Sequence, residues 1–231
     1  MIKKIVYFTI AVLLAVVIFL IINMYIPFGQ QELTGVAKYY IEKGVRDLGG
    51  INIVTSIVTL YRGFDTLGEV TVLFLAFTGL SFILSGLREQ ESEKKPEPTL
   101  IMETGGRYLF PLIVLFGIYI FIHGHLTPGG GFPGGVVIAT AFLLLFISQK
   151  QIVIKKETLT LLESLAGITY VIIGVLGLVI VKSFLGNFLK TGKPGYLISA
   201  GIIPLIYIAI GIKVGSEMTS LVKALKEGED D

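Results

Sequence analysis

The chain contains no cysteine and no tryptophan, only two histidines, and just 16% charged residues against 53% hydrophobic ones. Without cysteine there is no disulfide, thiolate nucleophile, iron–sulfur ligand or zinc ribbon. Any electron-transfer cofactor therefore belongs to another protein, and no cofactor is expected in this one. A soluble domain carries about 25% charge, so these 231 residues lack the polar side chains to cover a water-facing surface. The deficit excludes a soluble enzyme, a nucleic-acid binder and a disordered chain, and defines an integral membrane protein. The formal charge of +2 is too small to point to an anionic partner.

What remains is mostly long apolar runs. A helix crossing the hydrocarbon layer needs about 20 apolar residues. Residues 5–22 form a first such run behind Lys3 and Lys4, too long for a signal-peptide core and followed by no small-residue cleavage pattern, so it reads as a retained anchor. The 14 uncharged residues between Asp47 and Arg62 are short for a span and fit a re-entrant or buried membrane helix. A second span is expected over 70–87. From Arg107 to Lys150 run 42 residues without formal charge, enough for two crossings at 108–122 and 134–148. A fifth is expected at 159–181 and a sixth between Lys193 and Lys213. The expectation is an all-α, polytopic transmembrane bundle in the cell membrane, with six spans plus one short or re-entrant helix. Ten Lys and Arg residues in loops on one side, against three on the other, put the 88–107 loop and both termini in the cytoplasm.

The dense charge block Arg88–Pro98 cannot enter lipid and resists helix, so 89–100 reads as a linker between an N-terminal module at 1–88 and a four-span module at 101–231.

Three places could carry chemistry. In Arg62-Gly63-Phe64-Asp65-Thr66-Leu67-Gly68-Glu69, charges lie between two apolar segments, and charge at membrane depth usually faces a bundle interior or an aqueous path. Arg62 and Asp65 either pair with each other in an interfacial loop or set a local field. With Asp65 or Thr66 as helix cap, Glu69 lies one turn inside, where it either carries a proton or cation or simply suits the helix dipole. The run His123-Gly124-His125-Leu126-Thr127-Pro128-Gly129-Gly130-Gly131-Phe132-Pro133-Gly134-Gly135 holds both histidines, six glycines and two prolines. Broken segments of this kind build ion sites, and histidine relays protons near neutrality; a plain surface turn is the alternative. No metal site is expected, because the His-x-His pair stands without further ligands. Glu163 lies inside the fifth span and faces either a partner helix or an interface, while Gly167, Gly174 and Gly177 invite close approach by a neighbouring helix.

These motifs carry a resemblance. Tyr61–Glu69 resembles the signature near the C-terminal end of MrpA (an MbhE-like segment), the large subunit of multisubunit Na⁺/H⁺ antiporters. Arg107-Tyr108-Leu109 followed by 123–135 resembles the hallmark of MrpB, also called MnhB. Together with their flanks they cover about two-thirds of the chain. The resemblance implies a non-catalytic membrane subunit of a Na⁺/H⁺ translocating assembly, with other Mrp-type subunits and a hydrogenase-like or sulfur-reducing redox module as partners. Alternatively it is a structural adaptor between such parts. It further implies Asp65, Glu69, Glu163, His123 and His125 as ion or proton path, supported by Arg62, Thr66, Pro128, Gly129, Gly130, Gly131 and Gly134. The family often has Gln where this chain has Pro133, which replaces a hydrogen-bonding side chain by an expected kink.

Overall fold

Among the described residues, six helices are long and apolar enough to cross a membrane: Lys4–Met24, Gly63–Ile83, Leu100–Ile122, Gly131–Ser148, Lys156–Val181 and Ile203–Lys226. They belong to a computed structural model that describes residues 2–25, 33–86, 97–149, 152 and 154–230; of the expected linker 89–100, residues 89–96 fall outside them. Among the described residues there is no strand. The chain forms two compact units, residues 1–39 and 40–231.

The first unit is dominated by α1 (Ile2–Tyr25), whose described side chains are exposed on every face. An all-round apolar helix belongs in lipid or against partner helices. α2 (Gly35–Leu48) is mixed in charge and follows it.

In the second unit the expected short membrane helix is real and too short to cross. Asn52 caps α3 (Ile53–Ser56), which continues as a π-helical turn, Ile57–Tyr61. Arg62 then turns the chain directly into α4 (Gly63–Gly86). α5 (Leu100–Ile122) starts eight residues before the expected 108, because Thr99 caps it by accepting from the Met102 amide. α6 (Gly131–Ser148) and α7 (Lys156–Val181) begin just before their expected starts.

The sixth span is displaced. Residues 182–202 are irregular, and α8 (Ile203–Asp230) begins ten residues after the expected Lys193 and passes through Lys213 rather than ending there. The segment Pro194-Gly195…Ser199-Ala200-Gly201 breaks helix, and its backbone is held in place by Asn187 Oδ1, which accepts from the Leu189 and Ile202 amides.

α8 is the axis of this unit. It packs against α4, α5, α6, α7 and the π turn. Its buried residues Ile203, Ile206, Tyr207, Ile210, Val214 and Glu217 recur at three and four, the spacing of one helix face. Gly131 and Gly135 of α6 lie against α8: a Cβ on Gly131 would come within 2.6 Å of Ile210, and one on Gly135 within 2.9 Å of the Gly211 carbonyl. Small residues four apart bring two membrane helices into backbone contact. Gly174 and Gly177, expected to admit a neighbouring helix, instead admit the returning chain: their Cβ positions would meet the Phe184 ring and the Gly186 backbone at 2.5 Å.

Candidate functional site

The glycine-rich run is built into the bundle interior. It turns α5 back into α6, and the start of α3 presses on the turn. Asn52 donates its backbone N–H to the His125 carbonyl (3.1 Å) and its side-chain amide to the Gly124 and Thr127 carbonyls (both 2.9 Å). Its Oδ1 meanwhile accepts from Thr55 N, so one side chain caps a helix and anchors a loop. Thr55 Oγ1 adds a second bond to the Gly124 carbonyl, 2.7 Å. From the far side comes Tyr207 of α8, whose ring occupies the space a Cβ on Gly124 would need and whose phenol faces the Thr55 and Thr59 hydroxyls. Carbonyls in a broken hairpin are tolerable in a membrane because protein hydroxyls and amides satisfy them.

The glycines divide by task. Gly130 has φ 145°, ψ −176°, a region open only to glycine. Gly131 and Gly134 are already helical and serve packing, Gly134 lying against the Gly117 carbonyl of α5. Pro128 is exposed at the tip and Gly129 precedes the strained residue. Pro133 does not kink the chain: it occupies the first turn of α6, where a missing N–H leaves no bond unmade.

The two histidines diverge. The His123 ring stacks on Tyr119 (4.1 Å between centroids) with Nδ1 3.1 Å from the Tyr119 carbonyl. His125 is fully buried, its Nε2 3.4 Å from the Tyr196 carbonyl in the irregular segment and its Nδ1 without a hydrogen-bond partner. Burial holds His125 below its ordinary pKa of 6.5, with the neighbouring His123 adding to the same effect. The unfolded chain therefore takes up a proton near pH 6.5 that the folded chain refuses until lower pH. Stability is full above that value and falls as the solution is acidified below it. Between about pH 7 and pH 5, the thermal midpoint is expected to drop further for the wild type than for His125→Asn.

At the start of α4, Arg62 Nε and Asp65 Oδ2 pair at 2.6 Å, with both side chains largely exposed. Neither Asp65 nor Thr66 caps the helix, because the chain arrives already coiled: Thr66 is buried and donates Oγ1 to the Val58 carbonyl of the π turn, 2.7 Å. Glu69 is exposed on this chain's surface. Tyr170 donates to the Gly63 carbonyl, 3.2 Å, and so ties α7 to the start of α4.

Glu163 has partners that sequence reasoning assigned to a loop. Lys213 Nζ stands 3.6 Å from Glu163 Oε1 and 3.2 Å from Glu217 Oε2, and also over the Phe74 ring at 5.2 Å. Glu217 is fully buried and its Oε1 has no hydrogen-bond partner among the described residues. Lys213 lies about 15 Å along α8 at 1.5 Å per residue, well inside the stretch Ile203–Lys226 that is long and apolar enough to cross a membrane. A cleft of about 240 Å³ between α4, α7 and α8 runs from Tyr170 to Lys213. Further along α8, Lys226 donates to the Phe146 carbonyl (2.7 Å) at the end of α6, and Lys223 to the Ile154 carbonyl (2.8 Å). Lys226 thereby closes the C-terminus of α6, while Lys223 holds the segment ahead of α7.

A helical bundle with six candidate spans, a broken polar hairpin and charges held between its helices defines a multi-pass membrane protein. More particularly, the chain belongs to the family described as "Domain related to MnhB subunit of Na+/H+ antiporter", which matches residues 101–220; residues 3–97 match the MbhE family of MBH subunits. It is similar to an uncharacterised protein of Methanocaldococcus jannaschii, 33% identical over 81% of this chain and 83% of that one. It also resembles a protein of Rhizobium meliloti described as a probable K(+)/H(+) antiporter A/B subunit, 30% identical over 49% of this chain but only 14% of that much longer protein. Among solved structures, a chain of the membrane-bound sulfane sulfur reductase, an archaeal respiratory membrane complex, superposes with a TM-score of 0.81 at 43% identity, covering 97% of this chain and 98% of that one. The Mrp complex of a Dietzia species shares the fold, with a TM-score of 0.77 at 24% identity, over 98% of this chain and 26% of that one. The resemblance read from the motifs is thereby borne out.

Proposed function

We propose that this protein is a non-catalytic membrane subunit of a module that exchanges Na⁺ for H⁺, coupled to a redox complex of the sulfane sulfur reductase kind. The observation that carries the reading is the junction of the two motifs. Asn52 and Thr55, just ahead of the Arg62–Glu69 signature, hydrogen-bond the backbone of the 123–130 turn, so the MbhE-like and MnhB-like segments act as one polar element inside the bundle. The near-complete mutual coverage with one chain of a respiratory complex supports the coupling to redox chemistry.

In this reading Glu69 exchanges protons or cations with a path completed by neighbouring subunits, since its side chain is exposed on this chain's surface. Asp65 and Arg62 set the local charge. Glu163 belongs to the same path deeper in the membrane. His123, His125, Thr66, Pro128 and Gly129–Gly131 with Gly134 shape and line the turn. Other Mrp-type subunits and a redox module are the partners.

Glu69→Gln in the intact, reconstituted complex is the test. Na⁺-dependent proton movement is expected to fall by at least about tenfold, as when a proton-transfer group is removed, with assembly unchanged. Unaltered transport in a fully assembled complex would instead make the chain an adaptor whose charges only join helices. The exposed Arg62–Asp65 pair is the feature that such an adaptor role would explain.

A further inference from the structure

Two carboxylates share one ammonium at Glu163, Lys213 and Glu217, and this arrangement leaves a charge unaccounted for. With all three groups ionised, the cluster carries one uncompensated negative charge at membrane depth. An unpaired buried charge costs several kcal/mol, and side chains in that situation change protonation or gather a counter-ion. The location of the deficit is specific. Lys213 reaches Oε2 of Glu217 at 3.2 Å, while Oε1 of the same carboxylate is sealed from solvent and has no partner among the described residues.

Of the helices packed on α8, α5 carries Glu103 and Arg107 near its start, Arg107 exposed. Lys213 on its own helix pairs with Glu217, and Glu163 on α7 shares that lysine. The facing helix α6 has no titratable side chain from Gly131 to Ser148. α4 contributes the Phe74 ring beneath Lys213, and its Asp65 and Glu69 lie more than a turn away along that helix.

Access is asymmetric. Glu163 and Lys213 retain 14% and 12% side-chain exposure, whereas Glu217 has none. The cleft between α4, α7 and α8 ends on Lys213. Lys213 therefore stands between a reachable carboxylate and a sealed one, hydrogen-bonded to Glu217 and within ion-pairing distance of Glu163.

We propose that Glu163, Lys213 and Glu217 form a membrane-embedded site for one exchangeable proton, with Lys213 as the cation that selects which carboxylate holds it. When Lys213 pairs with Glu163, the proton rests as O–H on Glu217 Oε1; when Lys213 swings to Glu217 alone, the proton rests on Glu163, the more exposed of the two carboxylates. Each state holds one carboxylic acid, one carboxylate and one ammonium, so the site is neutral throughout and only an O–H bond moves. This goes beyond the function proposed above, in which Lys213 and Glu217 have no part, and it does not require that Na⁺ be the exchanged ion.

The test is infrared difference spectroscopy on the chain in its native membrane complex, read independently of transport. A carboxylic-acid C=O band is expected that shifts on exchange into deuterated water. Glu217→Gln leaves one carboxylate to one ammonium and is expected to abolish the band, and so is Glu163→Gln. Absence of the band in wild type, or its persistence in either variant, overturns the proposal. If Glu217→Gln does not assemble, Glu163→Gln decides alone, since its side chain keeps volume and partial access. Loss of the band with transport intact would uphold the site while refuting a role in ion exchange.

Discussion

Lys213→Met is expected to be the most damaging single substitution in the chain. It deletes the one cation that bridges two carboxylates, one fully buried and one nearly so. Breaking a buried ion pair by removing one partner costs about 3–5 kcal/mol, far above the typical point mutation of about 1 kcal/mol. Complex assembly should collapse, measured as the fraction of the chain recovered with its partners after detergent extraction. Glu217→Gln should be much milder, because Lys213 keeps Glu163. The diagnostic is rescue: with Glu163→Gln and Glu217→Gln added to Lys213→Met, the cluster becomes a neutral pair of amides beside an apolar chain, and assembly should return. Failure of that triple variant to recover would mean that Lys213 matters for its shape against Phe74 rather than for its charge.

Lys213 also shows where sequence reading succeeds and where it stops. Spans set by local hydropathy were legible from composition, and so was the breaking power of the glycine–proline run. The Arg62–Asp65 pair was legible as one of two options because the partners lie three residues apart. Hydropathy takes a lysine as the edge of a span, however, and so α8 was ended at Lys213 and begun in a segment that Pro194, Gly195 and Gly201 keep irregular. The local signal against this was present. Glu217 lies four residues after Lys213, the spacing of a helical ion pair, and Val214, Met218, Leu221 and Val222 continue an apolar pattern beyond it. The third member, Glu163, is 50 residues distant in sequence, and only packing brings it within 3.6 Å. The Asn52 anchor was illegible for the same reason. Its carbonyl partners lie 72 and 75 residues away, and nothing in the run Gly49–Asn52 separates a helix cap from a loop clamp.

The glycines of 129–135 demanded a distinction the sequence did not offer, and that distinction yields the second large effect. Read as one loop, all of them have the same purpose. In the structure the first half shapes a turn while Gly131 and Gly135 seat α6 on α8. A Cβ on Gly135 would stand 2.8 Å from Val214 Cβ, 2.9 Å from the Gly211 carbonyl oxygen and 2.9 Å from the Gly215 nitrogen. Two of those three atoms are backbone and cannot rotate aside, so Gly135→Ala must push the helices apart, at about 1–3 kcal/mol for overpacking. Across the same contact, a Cβ on Gly215 would find the Gly135 carbonyl at 3.5 Å and Ile138 Cγ2 at 3.6 Å, ordinary van der Waals distances. Gly215→Ala should therefore be neutral or gain up to about 1 kcal/mol from helix propensity. Thermal midpoints of the two variants in the purified complex should thus move in opposite directions, though the glycines face one another. Should both fall equally, the helices would be closer on the Gly215 side than these distances allow. Should neither fall, the α6–α8 seam yields, and the turn that α6 holds beneath Asn52 and Tyr207 is a flexible element instead of a fixed one.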